Sequence, residues 1–182
     1  LDLLRQLAPR LNHGFVSIML CDYVGQYGLD DFDASVAALQ YFTTFGSAEF
    51  AIREFLRHDL ERTLAVMEAW STDKNEHVRR LASEGARPRL HWSFRLDALV
   101  RDPNPVAPIL ENLKADPSLY VRKSVANHLN DITKDHPDWV LARDEMAARA
   151  RALTDAIRAI SDATCAAAAI RPTPKGRVDH VL

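Results

Sequence analysis

The segments DKNEHVRR (residues 73–80) and DPSLYVRK (116–123) lie over one another at a shift of 43 residues. The shift carries the preceding sequence as well, since VMEAW (66–70) falls on ILENL (109–113) and Asp59 falls on Asp102. Apolar residues recur at helical spacing on both sides of a polar break, so each unit reads as two helices joined by a turn. Self-similarity at such a period, with two helices per unit, is the signature of HEAT-type repeats, in which each pair buries one face against its neighbours. The expected fold is therefore all-α, a HEAT-like repeat α-solenoid built as a right-handed superhelical stack of antiparallel helix pairs. Val78 and Val121 occupy equivalent positions and are expected in the core, with Asp73, Asp116, Arg79 and Arg122 capping or bridging neighbouring helices.

Helical spacing continues outward from the repeat, and no period-2 stretch with hairpin signals interrupts it. Helices are expected at 14–26, 31–45, 47–57, 60–71, 75–85, 94–101, 105–114, 118–132 and 143–162. Proline and glycine punctuate them: Pro103, Pro105, Pro117 and Pro137 stand where helices start, and Gly28, Gly46 and Gly85 where they end.

The 182 residues, 47% of them hydrophobic, suffice for one sizeable core or a short array of repeats and exclude a disordered chain. A formal charge of -2 gives no bulk attraction to nucleic acid or membrane, so any polyanion must be met by a local patch. Cys21 and Cys165 form no CxxC and suggest a reducing, cytoplasmic setting. The seven histidines show no metal-ligand spacing, and no phosphate loop or nucleophile elbow occurs, so no metal and no cofactor are expected. No apolar stretch is long enough for a membrane helix. The chain begins at Leu1 and not at Met, and the domain is expected to be incomplete at its N-terminus.

Within NEHVRRLASEGARPRLHW (75–92), Arg80, Glu84 and Arg87 fall at i, i+4 and i+7 and share one helical face. The next unit offers Lys123, Asn127 and Asp131 at i, i+4 and i+8, and upstream Glu49 and Arg53 form another i, i+4 pair. Stacked, these faces would line one concave strip of basic groups studded with Glu49, Glu84 and Asp131. The same spacing also fits a solvated, ion-paired face. Trp92, in the loop-like GARPRLHW after Gly85 and Pro88 end the helix, fits a core plug as well as a binding platform.

The runs SAEFAIREFL, NEHVRRLASEGARPRLHW and DPSLYVRKSVANHLNDITKDHPD, in that order, resemble bacterial DNA alkylation repair glycosylases of the AlkC/AlkD superfamily, most closely the AlkC branch. The likeness covers roughly residues 14–141. It implies a solenoid whose concave surface wraps alkylated double-stranded DNA, and hydrolysis of the N-glycosidic bond of cationic N-alkylated bases such as 3-methyladenine and 3-methylcytosine without deep base flipping. It places the acidic active-site positions on Glu49, Glu84 and Asp131 and the active-site tryptophan on Trp92, with Arg80, Arg87, Lys123 and Arg53 as DNA contacts. It also implies a bacterial protein acting at the nucleoid, and a monomer.

The chemistry implied by the resemblance suits that mixture. A base alkylated at a ring nitrogen is cationic and leaves without protonation, so the barrier lies in the oxocarbenium character at C1′, which carboxylates stabilise while positioning water. An indole face attracts the cation, and arginines hold flanking phosphates. The resemblance stops near residue 142: residues 1–142 read as the repeat domain, and 143–182 as an alanine-rich helix and polar tail without the Arg-rich helix expected next. A HEAT-type scaffold that binds DNA or a protein without catalysis is the alternative, separated from the enzyme by whether Glu49, Glu84, Trp92 and Asp131 converge.

Overall fold

The computed structural model describes residues 1–11 and 15–143. Its helices are α1 (Asp2–Leu7), α2 (Phe15–Tyr27), α3 (Phe32–Phe42), α4 (Ile52–His58), α5 (Leu60–Trp70), α6 (Glu76–Gly85), α7 (Asp97–Arg101), α8 (Ala107–Leu113), α9 (Leu119–Thr133) and α10 (Pro137–Leu141), with 3₁₀ turns at Ala8–Arg10 and Asn104–Val106. Among the described residues there is no strand, and no helix is long and apolar enough to cross a membrane. Three pairs, α2/α3, α5/α6 and α8/α9, repeat along the chain, and the short α4 and α7 connect them. The second and third pairs stack helix on helix, α5 against α8 and α6 against α9, so an all-helical repeat array is what the period produces.

The stacking is specified by polar groups as well as by the core. Val78 and Val121 are buried as their equivalence requires, beside Leu81, Ile109, Leu110 and Leu113. Arg79 Nη1 donates to the carbonyls of Asp73 (2.9 Å) and Lys74 (3.1 Å), and Arg122 Nη1 repeats this with Asp116 (2.6 Å) and Pro117 (2.9 Å). Each arginine thus ties its own helix to the loop that precedes it. Asp73 accepts from the Asn75 amide at 2.7 Å and Asp116 from the Ser118 amide at 2.8 Å, which begins each second helix in the same way. The remaining Asp116 valence crosses between units, as Arg79 Nε and Nη2 grip both its oxygens at 2.6 and 3.0 Å. At the corresponding place Asp73 takes Gln40 Nε2 of α3 at 2.9 Å. The repeat is therefore written in aspartates as much as in apolar residues.

Two short helices, α1 and α10, lie where no helix was expected, and α4 starts at Ile52 and not at 47 because Glu49–Ala51 forms a turn. The expected helix at 143–162 lies outside the described residues apart from Arg143.

The two aspartates are expected to differ in worth. Asp116→Ala strands a largely buried guanidinium and is expected to cost about 3 kcal/mol of unfolding free energy. Asp73→Ala, which removes hydrogen bonds from neutral donors and strands no buried cation, is expected to cost about 1.5 kcal/mol. Urea denaturation of the two variants measures both, and equal losses would contradict the inter-unit role of Arg79–Asp116.

Candidate active site

Five side chains from three parts of the fold form a line of alternating charge, which Lys134 extends. Glu49, in the turn before α4, accepts from Arg80 Nη1 at 3.4 Å, and the same nitrogen donates to Ser47 Oγ at 3.0 Å. Arg80 Nη2 lies 3.8 Å from Glu84 Oε1, one turn on along α6. That oxygen accepts from Arg87 Nη1 at 2.6 Å, and Arg87 Nε donates to Asp131 Oδ2 at 2.8 Å. Asp131 Oδ1 takes Lys134 Nζ at 3.0 Å, and Glu84 Oε2 takes Ser124 Oγ at 2.6 Å.

Burial deepens along this line, from half-buried Glu49 and Arg80 to Glu84 at 6% exposure, Arg87 at 6% and Asp131 at 1%. α6 supplies Glu84 where its last turn is enclosed. Gly85 ends the helix so close to α4 that a Cβ there would meet Ile52 Cγ2 at 2.5 Å. α9 supplies Ser124, His128 and Asp131 at i, i+4 and i+7, the ridge that faces α6. Burial pulls the Arg87 guanidinium pKa down, but the hydrogen bonds and charges of Asp131 and Glu84 outweigh it and the net direction is up.

Arg53 is the second enclosed guanidinium, with no solvent exposure. Its Nη1 donates to the carbonyls of Gly85 (3.0 Å) and Arg87 (2.6 Å), and its Nη2 to the carbonyl of Phe94. Burial and then the like charge of Arg87 push its pKa down to about 10, against the pull of Asp131, and it stays charged at neutral pH. Trp92 sits in the loop so tied, at φ 62° and 97% exposed. A left-handed conformation costs a tryptophan about 1–2 kcal/mol, strain of the kind that collects at functional sites. The indole borders an open groove of ≈ 530 Å³ whose other walls include Ile18, Cys21, Gly25, Ser47, Phe50 and Phe94. Burial, and next the charge of Glu49, push the Cys21 thiol up to about 12, so it stays protonated at neutral pH.

Set against the sequence, Glu49, Glu84 and Asp131 are joined through Arg80 and Arg87, while Trp92 stands on the groove rim and touches none of the three carboxylates. It is not a core plug. Two expected DNA contacts have partners within the protein: Arg53 is wholly enclosed, its Nη1 and Nη2 donating to carbonyls while Nε finds no acceptor, and Arg87 is bound by two carboxylates. The supposed face of Lys123, Asn127 and Asp131 is corrected, because positions i and i+8 are about 80° apart around a helix. Lys123 and Asn127 are exposed and Asp131 points inward. Lys123 is exposed and makes no ion pair among the described residues, whereas Arg80 is half-buried with its face over the Tyr120 ring at 4.8 Å. Ser47, Ser124, His128 and Lys134 were not expected at the site, although Ser124 and His128 form a polar i, i+4, i+7 ridge with Asp131 that could have revealed these two.

His128 lies beneath the line with no exposure, and neither ring nitrogen makes a well-formed hydrogen bond. Burial lowers its pKa to about 4 and Arg87 adds to the effect, while Asp131, Glu84 and the nearby Ser83 backbone oppose it. The ring is neutral in the folded protein and protonates near 6.5 once unfolded, so its contribution is complete above that value and is lost as pH falls toward 4. The stability of the wild type relative to His128→Leu is expected to fall by about 3 kcal/mol between pH 7 and pH 4, read from urea midpoints. A constant difference would mean that the imidazole reaches solvent.

Residues 28–160 match the family described as DNA alkylation repair enzyme. The Bacillus subtilis (strain 168) protein YhaZ, which is uncharacterized, is 56% identical over 137 residues, covering 75% of this chain and 38% of YhaZ. The Pseudomonas fluorescens alkylpurine DNA glycosylase AlkC, solved bound to DNA containing an abasic site analog, is 66% identical with a TM-score of 0.78, over 82% of this chain and 45% of that protein. The chain thus spans less than half the length of these relatives. With the family matched across most of its length, the chain belongs to the DNA alkylation repair enzyme family.

Proposed function

We propose that the chain carries the catalytic repeat units of a DNA glycosylase that hydrolyses the N-glycosidic bond of cationic N-alkylated bases in duplex DNA without deep base flipping. The observation that supports this best is the convergence of two buried carboxylates, Glu84 from α6 and Asp131 from α9, on the two sides of Arg87. The relationship to a solved alkylpurine glycosylase supports it independently.

The geometry suits charge stabilisation. Arg87 is shared between two acids, and the cations that balance the line at its ends, Arg80 and Lys134, are more exposed, so both carboxylates lie in a largely dry setting where they act more strongly than in water. As the bond from C1′ to the base breaks, its electron pair goes to the base, which leaves neutral, and positive charge develops at C1′ and the ring oxygen. A water adds at C1′ and loses its proton to a carboxylate or to solvent, giving the free base and an abasic sugar. Glu84 and Asp131 take the stabilising role, with Glu49 supporting through Arg80. Trp92 presents its indole face to the deoxyribose or the cationic base. Arg80 and Lys123 are the DNA-backbone contacts. On this reading the partner is alkylated double-stranded DNA, no metal or cofactor takes part, and the chain acts as a monomer at the bacterial nucleoid.

One observation favours a non-catalytic scaffold instead: both oxygens of Glu84 and of Asp131 are engaged within the protein. Single-turnover release of free base from duplex DNA containing 3-methyladenine, 3-methylcytosine or 7-methylguanine separates the two readings. The wild type is expected to release base, with Glu84→Gln and Asp131→Asn slower by about a hundredfold and Trp92→Ala by about tenfold. DNA binding with no release from any lesion would leave the scaffold. Lys123→Ala is expected to weaken binding for all sequences alike and to reduce the salt slope of log K by about 0.9, measured by fluorescence anisotropy across salt concentrations.

A further inference from the structure

We propose that Arg53 is a positioning residue for the reaction just described: its buried guanidinium clamps the α6–α7 loop, setting Arg87 between Glu84 and Asp131 and holding Trp92 on the groove rim. The inference rests on the glycosylase reading for its catalytic meaning and on the geometry for the clamp.

A guanidinium with no exposure and, among the described residues, no carboxylate in hydrogen-bond contact is costly to bury, and here three carbonyls compensate Nη1 and Nη2 while Nε is left without a partner. All three belong to one segment. Gly85 is the last residue of α6, directly after Glu84; Arg87 is the cation shared by the two acids; Phe94 follows Trp92 by two residues. Its planar fork therefore gathers the start and the end of a ten-residue stretch onto a single point of α4. The Phe94 ring adds a contact, its centroid 5.3 Å from the Arg53 guanidinium carbon and 4.7 Å from that of Arg57. Inside the stretch the backbone makes few bonds of its own: the Arg87 amide to Glu84 (3.3 Å), the Ser93 amide to Leu90 (3.3 Å) and, across its end, the Leu96 amide to Pro88 (3.1 Å). Such a loop, carrying a left-handed tryptophan, needs an outside tether, and Arg53 is placed to be it. A lysine offers one ammonium in place of the fork and cannot hold three carbonyls with the same geometry.

The test uses the full chain with Arg53→Met and Arg53→Lys. Amide exchange of Arg87, Ser93 and Leu96 is expected to quicken by about tenfold or more in Arg53→Met, while amides of α8 exchange as in the wild type. Base release from 3-methyladenine duplex is expected to slow by about a hundredfold, with affinity for an abasic-analogue duplex kept within about threefold. Arg53→Lys is expected to fall between Arg53→Met and the wild type in both readouts. Unchanged loop exchange would overturn the clamp. Rate and affinity falling together would overturn the positioning role, and failure of both variants to fold would make Arg53 a general folding residue instead. If the wild type itself releases no base, the glycosylase reading fails, and the exchange measurement still decides whether Arg53 holds the loop.

Discussion

Arg87 lies between Glu84 and Asp131, and the rest of the architecture can be read as the means of keeping it there. The two acids stand on α6 and α9, second helices of successive units, so their separation is set by the packing of one unit on the next. That packing is fixed in turn by Arg79 and Asp116. A change in the stacking would move Asp131 relative to Glu84 and leave Arg87 bound to one acid, with the other left to a weaker partner, Glu84 to Arg80 and Ser124 or Asp131 to the exposed Lys134. Repeat symmetry is thereby converted into the spacing of two carboxylates, which no single helix could supply.

The site is also where the repeat breaks its own pattern. Glu84 corresponds to Asn127 and Arg87 to Asn130 in the next unit, and both asparagines are exposed. The structural arginines and aspartates recur at equivalent places; the candidate chemical residues do not. A scaffold gains from equivalence between units, since each interface then solves the same packing problem. Unequal residues buried at one interface are what a localised task requires, and this distinction sets Asp116, a repeated structural acid, apart from Asp131, the candidate for chemistry.

Much of this was legible from residue spacing. The 43-residue shift located the helix pairs, the core valines and the capping role of Arg79 and Arg122, because repeat contacts are local and recur. Arg80 and Glu84 were correctly placed on a shared face by their i, i+4 spacing. Direction was harder. Spacing says which residues lie together on a helix, but not what stands opposite, so Arg53 read as a surface cation beside Glu49 when α4 turns it into the protein. The i, i+8 grouping failed because helical phase drifts, and the i, i+4, i+7 ridge of Ser124, His128 and Asp131 was passed over. α1 and α10 are six and five residues long, too short for an apolar period to declare itself. The left-handed backbone of Trp92 has no sequence signal at all, since it is imposed by a loop held at both ends.

That conformation bears on how, on the proposed reading, a chain of charge -2 would serve a polyanion. Along the line from Glu49 to Lys134 three acids meet three bases, so the site adds no net positive charge to attract phosphate. What it offers is charge already paired and largely dry, where the next cation to arrive meets carboxylates that need little reorganisation. On the proposed reading, affinity for the DNA backbone is left to exposed groups such as Lys123. Discrimination can stay local. On the proposed glycosylase reading, an alkylated base differs from its neighbours by one positive charge, and carboxylates held in place near an exposed indole can respond to that difference without reading sequence. Rigidity is therefore worth more here than attraction, which is why an arginine is buried in Arg53 to hold a loop and not exposed to hold a phosphate.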